Sequence, residues 1–210
     1  MVRDSTVRVC TFSVRNCSTL YPLSHSQYIT LHRYSLHYRS DTTAKKNKHL
    51  MHYEFLHDRE DDPRRAFAES FLRHMSSHEN YKTLLTYNVS FERRVLSKLA
   101  ERFPDLESEL KEHIERLKDL MIPFQKSWCY ASRMDGRHSI KRVLPAFVPE
   151  LSYDGLEISN GEMACMTYEN MLQDERSMRD TQTRNAMLKY CEMDTYAMVK
   201  LLDRLNMMMS

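Results

Sequence analysis

The chain has 210 residues, with 31 Lys plus Arg against 29 Asp plus Glu and a net charge of +2 at pH 7. That length suffices for one domain with a sizeable core, and the near balance of charge means that net charge alone does not announce a nucleic-acid binder, so local charge has to carry that argument. Only 3 glycines occur in the whole chain, which excludes a glycine-rich phosphate loop and a dinucleotide-binding fingerprint.

The five cysteines (Cys10, Cys17, Cys129, Cys165 and Cys191) are odd in number and scattered, with no Cys-x-x-Cys pair. They read as thiols of a reducing compartment rather than a zinc site or a disulfide framework. No apolar run reaches the length of a membrane span, and the N-terminus lacks the apolar stretch of a signal peptide. The expectation is a soluble, cytoplasmic protein with no membrane partner.

In chain order, residues 1–33 form an atypical N-terminal segment. Asp4 is the one acid between Met1 and Ser40, and no Lys occurs there. Val7 to Val14 alternates like a strand but carries no carboxylate. Ile29, Leu31, Tyr34, Leu36 and Tyr38 then alternate against polar neighbours, Ser40 to Lys48 reads as a loop, and His49 to Leu56 reads as the returning strand of a hairpin. Asp58 to Asp62 is an acidic, solvated run that ends in a helix start, with Asp62 as cap and Pro63 at the first helical position.

Phe67, Phe71, Leu72 and Met75 mark the buried face of that helix. Tyr81 to Tyr87 is a short β-rich run, followed by a helix with apolar positions Phe91, Val95, Leu99 and Phe103, closed by Pro104. A further helix from about Asp105 has Leu106, Leu110, Ile114 and Leu117 in register, and Asp119-Leu120-Met121 begins a strand. Ser139 to Phe147 predicts a short basic helix, 148–159 an irregular stretch, Asn160 to Leu172 a helix, and Asp180 the cap of a long last helix. This order is that of a mixed α/β sheet flanked by helices.

One stretch of the last helix departs from the usual pattern. Apolar residues recur at Met187, Cys191, Met198, Leu201, Leu202 and Leu205, and Asp194 falls on the same stripe, with Tyr190 one turn earlier on that face. A carboxylate facing the body of a domain needs a partner, and a metal ion is one adequate partner. Asn88-Val89-Ser90-Phe91-Glu92 places an amide in a strand-to-helix turn and a carboxylate in the first helical turn, at the sheet edge where open α/β sheets put their sites. Taken singly, Tyr190 reads as a core aromatic and Glu92 as an acid favoured by the helix dipole; only the joint pattern is informative. Arg137, His138, Lys141 and Arg142 gather around a helix N-terminus, as a phosphate cradle or as a solvated basic face. The early histidines (His25, His32, His37, His49, His52 and His57) form no recognisable zinc pattern.

Tyr190-x-x-x-Asp194 together with Asn88 to Glu92 resembles the third and second motifs of ribonuclease D-type, DnaQ-like 3′–5′ exonucleases. More closely, the chain resembles the bacterial domain of unknown function 2779 family. The matching stretches are Tyr34-Ser35-Leu36-His37, Tyr53-Glu54-Phe55-Leu56, Asp62-Pro63-Arg64-Arg65, Tyr87 to Glu92, Ser139 to Pro145 and Tyr190 to Thr195. The exonuclease resemblance implies a ribonuclease H-like fold for residues 34–208 with an atypical first-strand region. It also implies hydrolysis at the 3′ end of DNA or RNA with two Mg²⁺ or Mn²⁺ ions. By that resemblance Asp194 and Glu92 bind metal, Tyr190 positions the attacking water, and Asn88, Arg137, Lys141 and Arg142 contact nucleic acid.

Two departures bear on activity. Glu92 stands where those exonucleases have Asp, and the Asp-x-Glu of their first strand is absent. The resemblance therefore implies an impaired enzyme, with a non-catalytic nucleic-acid-binding or interaction module, or an unstable fragment of a larger nuclease, as alternatives. The change of composition near residue 33 favours a beginning that is out of frame or rebuilt over a degenerate domain. Similar family members carry a RecB/Cas4-like nuclease module before this domain, so the chain reads as the C-terminal part of a longer architecture. Asp119 sits where related exonucleases often have an acid on a strand, and a turn or helix-ending role fits its context equally.

Overall fold

The structure, a computed structural model, describes residues 9–17, 30–40, 49–57, 61–77, 81–172 and 180–209. The loop expected from Ser40 to Lys48, most of the acidic run before Asp62, and the side chains of His25, His32 and His49 lie outside the described residues.

Among the described residues, five strands make one mixed sheet: β1 (Val9–Cys17), β2 (Thr30–Ser40), β3 (His49–Leu56), β4 (Thr83–Thr86) and β5 (Leu117–Asp119), in the order β3-β2-β1-β4-β5. The first three form an antiparallel meander, while β4 runs parallel to β1 and β5 parallel to β4. The centre of the sheet is therefore filled by Val9–Cys17, which pairs with β2 on one side and with β4 on the other. In the hairpin, Tyr34 lies opposite Phe55 and His37 opposite His52.

Among the described residues, seven α-helices flank this sheet: α1 (Pro63–Ser76), α2 (Val89–Arg102), α3 (Glu107–Glu115), α4 (Ile122–Gln125), α5 (Ile140–Phe147), α6 (Gly161–Leu172) and α7 (Thr181–Met208). The start of α1 follows from its sequence. Asp62 accepts from the Arg64 backbone N–H at 3.1 Å, and Pro63 costs no hydrogen bond at the first position. Asp180 begins α7 in the same way, accepting from the backbone N–H groups of Gln182 and Thr183 at 3.3 and 3.1 Å. No described helix is long and apolar enough to cross a membrane.

The period-2 alternation of the strands sorts the core into two layers. Tyr34, Leu36 and Leu84 face α1, α2 and α3, packing with Phe67, Phe71, Met75, Leu96 and Leu110. Leu56 and Leu85 face the other way, into a cluster built by α5, α6 and α7 that includes Val143, Tyr168, Met187, Tyr190 and Met198. Each large apolar side chain so buried contributes roughly 1.5–3 kcal/mol. On β2 the residues between the apolar ones, Ser35 and His37, are equally buried and face α7, an unusual content for a core face.

The structure departs from the sequence-based elements around β5: the strand expected to begin at Asp119-Leu120-Met121 instead ends at Asp119, and the chain turns into α4. Leu117 continues the helical spacing of Leu106, Leu110 and Ile114, yet α3 ends at Glu115 and Leu117 begins β5. Parallel pairing of Leu117 with Leu84 and of Asp119 with Thr86 outweighs local helical preference there.

Candidate functional site

Tyr190 and Asp194 stand one turn apart on α7, 1 % and 2 % exposed. Their neighbours come from α5 and from the irregular stretch between α5 and α6. The Tyr153 hydroxyl donates to Asp194 Oδ1 at 2.8 Å, and the Tyr153 and Tyr190 rings are 6.3 Å apart. The ammonium of Lys141 lies over both rings, 5.3 Å from Tyr153 and 5.4 Å from Tyr190, and donates to the Ser159 carbonyl. Cation–π attraction to two partly desolvated rings holds that charge against the helix rather than out in solvent. The Tyr190 hydroxyl reaches the start of α6, 3.9 Å from where a Cβ on Gly161 would stand.

The second part of the site is the turn between β4 and α2. Asn88 has φ +74°, in the left-handed region, and its side chain makes no capping bond. What fixes the turn is Asp119 at the end of β5. Its carboxylate accepts from the backbone N–H groups of Asn88 at 3.0 Å, Val89 at 3.1 Å and Met121 at 2.9 Å. Asp119 thereby caps α2 from a neighbouring strand, the turn role rather than the strand-acid role. Glu92 follows in the first turn of α2 and is buried.

Tyr87 ties this turn to the basic segment by donating to the His138 carbonyl at 2.6 Å. Burial, with the Asp119 carboxylate adding to it, pushes the Tyr87 phenol well above its ordinary range, so it remains a donor. Of the basic residues, Arg137 and Arg142 are exposed, His138 is half-buried, and Lys141 is turned to the tyrosines. The structure thus joins Tyr190, Asp194 and Lys141 in one cluster through Tyr153. Tyr87 and Asp119 link the Asn88 turn to the segment that carries Arg137 and Lys141. Tyr153 was not singled out from sequence, because it sits in a stretch without periodicity.

A second polar cluster lies on another face of α7. Thr195 contacts Ser35 Oγ and His37 Nδ1, each at 2.8 Å, and Ser35 Oγ contacts His52 Nε2 at 2.9 Å. Glu192, one turn before Thr195, brings a carboxylate oxygen to 3.9 Å from His52 Nδ1. The pairing of His37 with His52 was open to a register argument on the hairpin. Glu192 is 140 residues beyond His52 in the chain (192 − 52), and only the crossing of α7 reveals it.

The fold and site define a mixed α/β domain with two buried polar clusters on one long helix. The chain belongs to the family of a domain of unknown function, DUF2779, which matches residues 17–139. That match spans 123 of the 210 residues (139 − 17 + 1) and takes in Asn88, Glu92, Asp119 and Arg137. No curated protein and no solved structure matches the chain.

Proposed function

We propose that the chain is a nucleic-acid-processing domain of 3′–5′ exonuclease-like build, ribonuclease H-like in fold, whose hydrolytic capacity is impaired. The observation that carries this reading is the strand order β3-β2-β1-β4-β5 with its senses, an antiparallel meander continued by two parallel strands. The Tyr190-x-x-x-Asp194 spacing on the helix that packs across β1 and β2, and Glu92 in the first turn of α2 after β4, agree with it.

The residues present do not fit a two-ion centre. Asp194 is buried with Oδ1 already bonded to the Tyr153 hydroxyl, Glu92 is 4 % exposed, and the sequence of β1 contains no carboxylate. Two Mg²⁺ or Mn²⁺ ions a few ångströms apart need more hard oxygen ligands than these two acids provide. What this chain retains is the means to bind. Exposed Arg137 and Arg142 flank the start of α5, where charged donors suit phosphate oxygens and position a strand without reading its bases.

The test is fluorescence anisotropy with single-stranded DNA and RNA bearing free 3′ ends, run beside a Mn²⁺-dependent shortening assay. Binding that weakens with salt, and weakens further in Arg137→Ala with Arg142→Ala, is the expected outcome, with little or no shortening. Absence of salt-sensitive binding to either polymer overturns the reading. Vigorous shortening abolished in Asp194→Asn overturns the impairment.

A further inference from the structure

The cluster of Ser35, His37, His52, Glu192 and Thr195 belongs to neither part of the exonuclease-like site, and its hydrogen bonds can be directed by counting protons. Thr195 Oγ1 lies 3.0 Å from the Glu192 carbonyl, which can only accept, so the single hydroxyl proton of Thr195 is spent there. Toward His37 Nδ1 and Ser35 Oγ, Thr195 must then accept. Ser35 in turn spends its own proton on Thr195, so it accepts from His52 Nε2. His37 is therefore protonated on Nδ1 and His52 on Nε2. That leaves the lone pair of His37 on Nε2 and directs His52 Nδ1 toward Glu192.

The rest of the geometry agrees. The two imidazoles face each other across the hairpin pair, centroids 4.6 Å apart and 25° from parallel. One donor atom from each of His37, His52 and Glu192 falls within 4.8 Å of the others. At 3.9 Å, His52 Nδ1 and Glu192 Oε1 are too far apart for a hydrogen bond. They are near the separation of two ligands on one ion, whose bonds are about 2.0–2.2 Å.

We propose that His37, His52 and Glu192 form a binding site for one divalent transition-metal ion, which clips the β2–β3 hairpin to α7. Two imidazoles and one carboxylate are the donor set of borderline-soft ions such as Zn²⁺ rather than Mg²⁺. Ser35 and Thr195 hold the far nitrogens of the two rings, the outer-layer support that fixes ring orientation and tautomer at a metal. His37 is buried, His52 is partly exposed at 23 %, and the Glu192 side chain is 48 % exposed. Glu192 is therefore free to close onto an ion by a rotamer change, and the remaining coordination position opens to water. The clip would join residues 155 apart (192 − 37).

The test uses tag-free, chelator-stripped full-length protein titrated with Co²⁺, read by visible d–d absorption, then displaced with Zn²⁺. One equivalent of Co²⁺ should bind with low-symmetry, intense absorption, and Zn²⁺ should abolish it and raise the melting temperature. His52→Ala and Glu192→Gln, both at accessible positions, should lose the signal while melting cooperatively without metal. Ser35→Ala should weaken binding by about 10- to 100-fold. The proposal fails if wild-type protein gives no signal, or if the signal survives in the His52→Ala, Glu192→Gln double variant. It also fails if only Asp194→Asn or Glu92→Gln removes the signal, since the ion would then sit among the carboxylates of the exonuclease-like site.

Discussion

Tyr153 and Asp194, 41 residues apart in the chain, meet in a buried hydrogen bond of 2.8 Å in which the phenol donates to the carboxylate. The acid on the apolar stripe of α7 thus has a protein partner, and the irregular stretch after α5 is anchored by it.

Replacement of Tyr153 by Phe keeps the ring that lies under Lys141 and removes the donor to Asp194. A buried carboxylate deprived of a hydrogen bond costs about 1–3 kcal/mol. Urea denaturation of Tyr153→Phe against wild type should show that loss with an unchanged m-value. A shift of the midpoint too small to detect would mean that Asp194 is satisfied without the phenol.

Asp119→Ala removes an acceptor shared by three backbone N–H groups at the β5 end and the α2 start. The expected destabilisation is about 2–4 kcal/mol, and Asp119→Asn should recover part of it because one amide oxygen remains. If Asp119 served metal chemistry alone, both variants would keep wild-type stability.

At Asn88 the backbone, with φ +74°, decides the outcome. Asn88→Gly should hold or slightly raise the melting temperature, while Asn88→Ala should cost about 1 kcal/mol. Loss of oligonucleotide binding in the stable Gly variant would give the Asn88 side chain a role in contact with nucleic acid beyond shaping the turn.

Two buried histidines set an acid limit. Burial pushes His37 down to about 3 and, with the Arg116 charge assisting, His113 down to about 4. Unfolding returns each to an ordinary value near 6.5, so between about pH 6.5 and 4 the unfolded chain binds more protons than the native one. Stability is therefore full above about pH 6.5 and falls as pH drops, by up to about 3 kcal/mol per group. His113→Gln should flatten this dependence in denaturation series at pH 7.5, 6 and 5. An equally steep slope in the variant would place the acid sensitivity elsewhere.

The parts of the fold written locally in the chain are legible in the sequence alone. Asp62-Pro63 and Asp180 announce helix starts because an N-cap acts over three residues, and Asp194 betrays its burial through the stripe around it. Leu117 misleads, because its strand exists only through pairing with Leu84, a partner 33 residues away (117 − 84). Tyr153 and Glu192 gain their meaning from contacts across the sheet and α7, for which no spacing rule exists. The alternation over Val7 to Val14 marks a strand but not its place; β1 (Val9–Cys17) becomes central only once β2 and β4 pair with it.

Along α7, Glu192, Asp194 and Thr195 fall within a single turn. At about 100° per residue, Glu192 and Thr195 look one way and Asp194 another. The helix therefore works as an axle with a cam on either side. The same stretch of one helix thus takes part in two separate tethers, Asp194 to Tyr153 on one side and Thr195 to His37 and Ser35 on the other.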